Sequence, residues 1–245
     1  MIAHLGMYLR PETRAATERF WGLIRAHLGY GPEHLTDSDD FWGIWQSPDL
    51  LLSQTCGYPY RARLHEQVQL VGTPDYALPG CPVGYYNSVF VARADDPRAQ
   101  LSEFDGACFA YNEPMSQSGW AAPRHHYDQQ GLRFGPLLKS GGHRLSALAV
   151  SEGRADFAAL DALTWALVQE HDPFSSSLRE IERTAPTPTL PFITGPKTEV
   201  APLFEAVTHA VHAISDADRK TLHLQGVTHI PSSEYFSVAT PEKPT

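Results

Sequence analysis

The sequence predicts an α/β protein built from two units, and three observations lead to that prediction. Strand-like and helix-like segments alternate along the chain, which is typical of mostly parallel sheets with helices on both faces. The middle third repeats this alternation with elements of its own. A proline-rich segment, residues 186–191, follows it, and such a stiff backbone suits a crossing between units better than the centre of a sheet.

The composition is that of a folded globular protein. The chain has 245 residues, of which 42% are hydrophobic and 19% are charged, so it can bury a sizeable core and lies far from the composition of disordered chains. The formal net charge is −9, and no basic tract is present that would neutralise a phosphate backbone, so nucleic acid is not an expected partner. No apolar run approaches the length of about 20 residues that a membrane span needs.

The three cysteines do not form a recognisable motif. Cys56, Cys81 and Cys108 lie far apart without a CxxC pair, so neither a zinc ribbon nor a disulfide framework is predicted, and at most one bridge could form.

The first third of the chain reads as strand, helix, short helix and strands. Residues 2–9 form the first strand, and Pro11 opens a helix whose apolar residues recur at helical spacing. Residues 37–40 cap a short helix that ends before Pro48. The apolar run at residues 50–52 forms the next strand, followed by a loop and two further strands, at residues 54–59, 68–72 and 89–91.

The middle third reads as a second α/β unit, and the C-terminal part as helices that complete an earlier one. The predicted elements are a strand at 108–111, a helix after Ser118, a helix at 143–152, a strand at 156–160 and a helix at 162–170. Two more helices are predicted at 199–214 and 216–222. They are too few to form a separate hydrophobic core, so they must pack on an earlier unit.

The segment 111–120 is the most informative candidate site. It leaves a strand, turns through Pro114 and two serines, and enters a helix. The start of a helix offers unpaired N–H groups and the positive end of the helix dipole, so Ser116 and Ser118 could complete an anion site without any lysine or arginine. Both serines could equally be ordinary helix caps.

Two more candidates follow other strands of the same unit. Residues 137–143 place His143 at the start of a helix, where its ring could donate to an oxyanion, and Asp161 lies between a strand and a helix. A capping role is the alternative for each. All three junctions fall at the carboxyl ends of successive strands, which is the edge where open α/β sheets bind ligands.

Several motifs together carry a family resemblance that extends from about residue 4 to residue 230. They are residues 112–119 with Pro123, residues 141–143 with 147–150 and Gly153, residues 155–161, Gly84-Tyr85-Tyr86 before 88–93, and residues 190–193. In order and spacing they resemble the phosphate/phosphite/phosphonate substrate-binding proteins of ABC transporters. The last two motifs resemble the chain crossings into and out of the second lobe of that family.

The resemblance implies a type 2 periplasmic-binding fold, with lobe 1 formed by residues 1–90 and 193–245 and lobe 2 by residues 91–192. It implies a monomeric, non-catalytic protein without a cofactor, which clamps a small anionic ligand between its lobes and delivers it to an ABC-transporter permease. The implied ligand-binding residues are Ser116, Gln117, Ser118, His143 and Asp161 in lobe 2, and Tyr8, Gln54, Thr55 and Tyr85 in or beside lobe 1.

Three departures from the family pattern refine this expectation. Gln117 stands where serine or threonine is common. Leu190 stands where members that bind aminoethylphosphonate have an acid, so an amine-bearing phosphonate is not the expected ligand. No export signal is evident before the first strand, so the expected location is the periplasm if a signal peptide has been removed, and the cytoplasm if the sequence is native as given.

Other interpretations remain open. The same fold could bind a sulfonate or a heterocycle resembling a thiamine precursor, with Trp120 or Tyr8 stacking on it. A cysteine-dependent enzyme could use Cys56 with His143 or His125 as the base. A metal site could be built from His125, His126 and His143.

Overall fold

The computed structural model describes residues 1–244, which divide into two units. Unit 1 comprises Met1–Tyr85 and Pro188–Ser237, and unit 2 comprises Tyr86–Thr187 and residues 238–244. The chain leaves unit 1 within five residues of the expected position and returns to it within five residues as well. The C-terminal residues belong to unit 2, whereas the sequence assigned them to lobe 1.

The strands of the described chain are short. They are β1 (Ile2–His4), β2 (Leu50–Gln54), β3 (Gln69–Asp75), β4 (Tyr85–Tyr86), β5 (Ser88–Arg93), β6 (Phe109–Tyr111), β7 (Leu137–Lys139), β8 (Phe157–Asp161), β9 (Leu178–Arg183), β10 (Thr187–Pro188), β11 (Phe192–Thr194) and β12 (Gly226–Thr228).

The α-helices alternate with these strands. They are α1 (Pro11–Leu28), α2 (Phe41–Trp45), α3 (Gly57–Pro59), α4 (Ala122–Gln129), α5 (His143–Ser151), α6 (Ala162–His171), α7 (Val200–Ala213), α8 (Asp216–Leu222) and α9 (Ser232–Phe236). Wider π-helical turns at Tyr60–Leu64 and Gln117–Ala121 adjoin α3 and α4, and 3₁₀ turns occupy Leu101–Phe104 and Pro173–Ser177. None of the helices among residues 1–244 combines the length and apolarity that a membrane span requires.

Local sequence explains where the first helices begin. The Thr13 hydroxyl accepts a hydrogen bond from the Arg10 backbone N–H at 3.1 Å, and Pro11 supplies a preset backbone for the first turn of α1. The helix ends at Gly29, whose φ of 77° lies in the left-handed region that glycine adopts at little cost. The Asp40 carboxylate accepts from the Gly43 N–H at 2.9 Å and so caps α2, as the sequence predicts.

Unit 1 is built on a five-stranded sheet with the order β1-β2-β11-β3-β12. Strands β1 and β2 pair in parallel, and β11 pairs antiparallel with both β2 and β3. Helix α7 packs on α1 and on β3, so the C-terminal helices complete the first unit, which confirms that prediction. The apolar face of α1 lies in this core through Ala16, Phe20 and Ile24.

Unit 2 contains a second five-stranded sheet with the order β7-β6-β8-β5-β9. Strand β6 pairs in parallel with both β7 and β8, so the carboxyl ends of these three strands lie at one edge, as expected. Strand β5 pairs antiparallel with β8 and β9. Helices α4, α5 and α6 pack against β5 and, in part, its neighbours.

Both sheets are therefore mixed rather than mostly parallel. The antiparallel strands include β5 and β11, which enter their sheets directly after the chain has passed from one unit to the other. Two consecutive parallel strands need a crossover connection between them. A strand that the chain enters directly from the other unit is not preceded by such a connection. The residues at the two crossings form a small ladder of their own, in which β4 pairs with β10.

Candidate functional site

The loop between β6 and α4 is fixed by a serine cap. Ser116 precedes the π-helical turn at Gln117–Ala121, and its Oγ accepts a hydrogen bond from the Gly119 N–H at 3.0 Å. The Ala121 N–H donates to the Ser116 carbonyl at 3.0 Å. Ser116 is thus a helix cap, but a hydroxyl that accepts one hydrogen bond can still donate its own proton.

Ser118 pairs with His143, the first residue of α5. The distance between Ser118 Oγ and His143 Nε2 is 3.0 Å. The two loops that carry these residues are also joined through their backbones, because Ser140 N–H donates to the Tyr111 carbonyl at 2.8 Å and Gly141 N–H to the Asn112 carbonyl at 3.1 Å. The ends of β6 and β7 therefore hold the serine and the histidine in one arrangement.

Burial keeps the His143 imidazole uncharged at neutral pH. It lowers the pKa of the ring from the ordinary value of 6.5 to about 4. Two backbone groups of β8 face the ring: the Asp161 nitrogen, 3.4 Å from Nδ1, and the Ala159 carbonyl, whose hydrogen bond opposes the effect of burial. The Asp161 contact favours a proton on Nε2, and in either tautomer of the neutral ring Ser118 has an uncharged partner.

Asp161 has the capping role that the sequence left open. Its Oδ1 accepts from the N–H groups of Leu163 at 2.8 Å and Thr164 at 3.0 Å, at the start of α6. The side chain is buried. Asp161 therefore lies beside His143 at the sheet edge, and its carboxylate caps α6.

Glycine at position 119 allows the close packing of this loop. A β-carbon at Gly119 would overlap the Asn112 side-chain oxygen and would approach His143 Cε1 at 3.1 Å. Asn112 was not among the predicted site residues, although it lies in the motif that singled out the loop. Gln117 is buried within the same turn.

In unit 1, the predicted residues lie at the ends of neighbouring strands: Tyr8 comes after β1, Gln54 is the last residue of β2, and Thr55 comes directly after β2. The Gln54 amide nitrogen donates to the Leu190 carbonyl at 3.0 Å and to the Tyr76 hydroxyl at 3.2 Å. The rings of Tyr8 and Tyr76 meet edge to face with centroids 5.5 Å apart. These contacts join the ends of β1, β2 and β3 into one polar and aromatic cluster.

Tyr76 was not among the predicted site residues, although it contacts both Gln54 and Tyr8. The predicted strand ended at residue 72, whereas β3 extends to Asp75, and the correct end would have placed Tyr76 directly after a strand, as Thr55 is after β2.

Thr55 carries an unsatisfied hydroxyl. The residue is fully buried, and its backbone N–H donates to the Pro191 carbonyl at 3.1 Å. Within residues 1–244 its Oγ1 has no hydrogen-bond partner. An unsatisfied buried hydroxyl costs free energy, so this position is suited to a polar ligand atom.

Tyr85 is engaged at the end of unit 1. Its hydroxyl donates to Glu234 Oε2 at 3.2 Å, and burial is the largest contribution that raises its pKa. The structure thus links this predicted ligand residue to α9.

The residues proposed for a cysteine-dependent enzyme or a metal site lie in different parts of the structure. Cys56 lies in unit 1, whereas His125 and His143 lie in unit 2. His126 Nε2 is 2.6 Å from Glu182 Oε1. Over residues 1–244, no three histidine, cysteine or acidic side chains are grouped so that they could hold a metal ion.

The comparisons with known proteins agree with this architecture. Residues 49–234 match the family model described as the periplasmic substrate-binding protein of a phosphonate ABC transporter. No curated protein matches the sequence.

Three solved structures share the fold at low identity. The PhnD1 protein of Prochlorococcus marinus in complex with methylphosphonate is 15% identical, with a TM-score of 0.74 over 96% of this chain and 94% of that one. A binding protein component of an ABC phosphonate transporter from Pseudomonas aeruginosa is 15% identical, with a TM-score of 0.73 over 93% and 80%. A Xanthomonas citri protein bound to ATP is 16% identical, with a TM-score of 0.70 over 97% and 94%.

Proposed function

Because the chain belongs to the family of phosphonate ABC transporter periplasmic substrate-binding proteins, we propose that it binds a small tetrahedral oxyanion of the phosphate, phosphite or phosphonate type. Members of this family are binding components of transporters. The same family relationship supports a periplasmic location and an ABC-transporter permease as the partner. We also propose that the chain acts as a monomer and without catalysis.

One observation carries the choice of ligand class. Ser116 and Ser118 lie at the first turn of the helical segment 117–129, and Ser118 is paired with a neutral histidine. The first N–H groups of a helix lack intrahelical acceptors and carry the positive end of the dipole. An oxyanion at this position would receive several hydrogen bonds without a lysine or arginine.

Beyond its oxyanion group, the ligand is proposed to be small and to carry no amine. Leu190, which stands where amine-binding members have an acid, is buried, and its carbonyl already accepts from Gln54. Tyr8, Gln54, Thr55 and Tyr76 are the proposed contributions of unit 1, which offers hydroxyl, amide and aromatic groups. Methylphosphonate and phosphite fit this set better than aminoethylphosphonate.

A thermal-shift panel tests the proposal. A ligand that binds only the folded state at a hundredfold excess over Kd adds about 2.7 kcal/mol of stability, which raises Tm by about 5–10 °C for a chain of this size. The panel contains phosphate, phosphite, methylphosphonate, aminoethylphosphonate, sulfate, a small sulfonate and a thiamine-type pyrimidine. A shift with methylphosphonate or phosphite is expected. No shift with any oxyanion would refute the proposal, and a shift with the pyrimidine alone would favour a heterocycle instead.

A ligand-driven change of shape is the second part of the proposal. The candidate residues are divided between units 1 and 2, so a ligand that uses both sets shifts the protein towards the form in which both can reach it. Bending is proposed at the crossings near residues 88–93 and 190–195. Small-angle scattering should give a smaller radius of gyration with saturating ligand. An unchanged radius together with proven tight binding would contradict closure.

A further inference from the structure

We propose that the C-terminal tail, residues 238–244, positions the anion loop, residues 116–121, by accepting the indole N–H of Trp120. The functional consequence rests on the proposed function, since it requires that the anion loop binds the ligand. The contact between tail and loop lies within unit 2 and can be tested without any ligand.

The tail is held directly by the residue that follows Ser118 and Gly119. Trp120 Nε1 donates to the backbone carbonyl of Glu242 at 2.8 Å. Only 3% of the Trp120 side chain is exposed. A buried indole N–H without an acceptor is costly, so this bond links the order of the tail to the position of the indole.

The Trp120 ring is in turn part of the packing beneath the loop. It lies against Tyr111 with centroids 5.5 Å apart, and against Phe134 at 5.8 Å. Tyr111 is the last residue of β6, the strand from which the loop departs. The indole therefore connects three elements: the end of a core strand, the π-helical turn that carries Ser118, and the tail.

The loop combines an uncommon backbone conformation with a few side-chain contacts, so an added contact can bear on its order. The π-helical turn at Gln117–Ala121 is a rare conformation with wider i to i+5 bonds. Within the loop, the Ser116 side chain caps the turn by accepting from the Gly119 N–H. The Ser118–His143 contact is another fixed point, and the Trp120 bond to the tail adds one more, two residues from Ser118.

The tail is anchored at its start and stiffened along its length. In α9, which precedes it, the Tyr235 hydroxyl bonds to the Thr189 carbonyl at 2.9 Å and to Thr73 Oγ1 at 2.7 Å. Pro241 and Pro244 flank Glu242 and Lys243 and restrict the backbone before and after the acceptor carbonyl. Docking such a segment costs less conformational entropy than docking a flexible one.

The expected consequence is preorganisation. Without the tail, the indole N–H loses its acceptor and Trp120 gains access to water, so the turn samples other conformations. Ser116 and Ser118 then have to be ordered when the ligand binds, and that ordering lowers affinity. Trp120 is accordingly a positioning residue rather than a stacking platform for the ligand.

Two variants test the contact. One ends the chain after Ser237, which removes the acceptor, and the other is Trp120→Phe, which keeps an aromatic ring but removes the donor. Trp165→Phe is the matched control, because Trp165 is a buried tryptophan of unit 2 whose indole nitrogen has no hydrogen-bond partner within residues 1–244. Amide hydrogen exchange is measured for residues 116–121 and, as a test of folding, for β8.

Truncation and Trp120→Phe should each speed exchange in the anion loop by about two- to tenfold, the value of one hydrogen bond, and leave β8 protected. Combining them should add little, because both remove the same bond. The indole N–H resonance that disappears in Trp120→Phe should also be the one that shifts on truncation. Unchanged exchange in the loop and an unshifted resonance in the truncated chain would overturn the proposal.

The ligand arm uses methylphosphonate and phosphite as probes. Both variants should weaken binding by about two- to tenfold, while Trp165→Phe binds like the unaltered chain. Faster loop exchange with unchanged affinity would overturn the positioning role. If the unaltered chain binds neither probe nor any oxyanion of the panel, the proposed function fails, and the exchange measurement still decides whether the tail orders the loop.

Discussion

His143 Nε2 lies 3.0 Å from Ser118 Oγ, so the imidazole of this histidine contacts the serine of the candidate anion loop. Because burial holds the pKa of the ring near 4, the pair is a neutral hydrogen bond at physiological pH. A charged imidazolium is therefore not expected at the proposed site, and we expect His143 to influence a ligand through Ser118.

The first prediction is that Ser118→Ala and His143→Ala have overlapping effects on oxyanion binding. Each should weaken binding by about two- to tenfold, the value of one neutral hydrogen bond. The double variant should bind only slightly more weakly than either single variant, because both changes disrupt the same Ser118–His143 pair. Isothermal titration calorimetry of the four proteins gives the coupling energy. Strict additivity would indicate that the histidine contacts the ligand by itself.

The second prediction concerns stability against pH. The folded-state pKa of His143 lies below the ordinary value of 6.5, so the unfolded chain takes up a proton first as the pH falls. Stability should therefore decrease between about pH 6.5 and pH 4, by at most about 3 kcal/mol from this group. His143→Gln cannot titrate and should show a smaller decrease. Urea unfolding of both proteins at several pH values measures the difference, and identical pH profiles would contradict it.

The third prediction is that Gly119→Ala disrupts the anion loop. The added methyl group would overlap the Asn112 side chain and press on His143, which should cost about 1–3 kcal/mol of stability and weaken oxyanion binding. Gly22→Ala is the control, because no atom lies within 4 Å of its added β-carbon. Since Gly22 is in α1, that change should stabilise the chain by about 0.5–1 kcal/mol. Chemical unfolding and binding measurements compare the two, and a Gly119→Ala protein with unaltered affinity would contradict the close packing.

The fourth prediction concerns a partly buried ion pair of unit 2, in which Asp96 is buried and 27% of the Arg98 side chain is exposed. Arg98 donates to both oxygens of Asp96, at 2.9 and 2.6 Å, and to Asp156 at 2.8 Å. Asp96→Asn should cost about 1–3 kcal/mol, because the partly exposed guanidinium loses its buried carboxylate partner but keeps Asp156. Asp95→Asn, which alters an exposed pair with Arg93, should cost less than about 1 kcal/mol. Equal losses in urea unfolding would refute this ranking.

The ion pair between Asp96 and Arg98 also affects the stability of the folded state at low pH. The hydrogen bonds from Arg98 lower the pKa of Asp96 from 3.8 to about 2. Its contribution to stability should be present above about pH 4 and be lost as the pH falls through about 2. In Asp96→Asn this part of the acid transition should be absent, and unfolding measured between pH 2 and pH 5 tests the difference.

The sequence by itself determined the elements whose signals are local. Pro11 and the apolar spacing of α1 specified a helix, Asp40 specified the start of α2, and the serine-rich turn after residue 111 specified a capped helix entrance. These signals need only neighbouring residues, so propensity and capping chemistry are sufficient to recognise them. The family relationship was also recognisable, because it depends on the order of such motifs.

Other features depended on contacts between distant segments. Strand β9 (Leu178–Arg183) carries four charged residues and is identified by its pairing with β5 rather than by its own composition. The sheets are mixed because they include strands that the chain enters directly from the other unit. No local sequence pattern predicts this strand pairing.

The roles of the site residues were decided in the same way. Only the tertiary structure places His143 against Ser118 and removes its charge, since the pKa depends on burial by residues far away in sequence. Likewise, Glu242 is 122 positions beyond Trp120, and nothing near either residue predicts their hydrogen bond. The local sequence supplies the chemical groups of the candidate site, and long-range packing determines which of them are in contact.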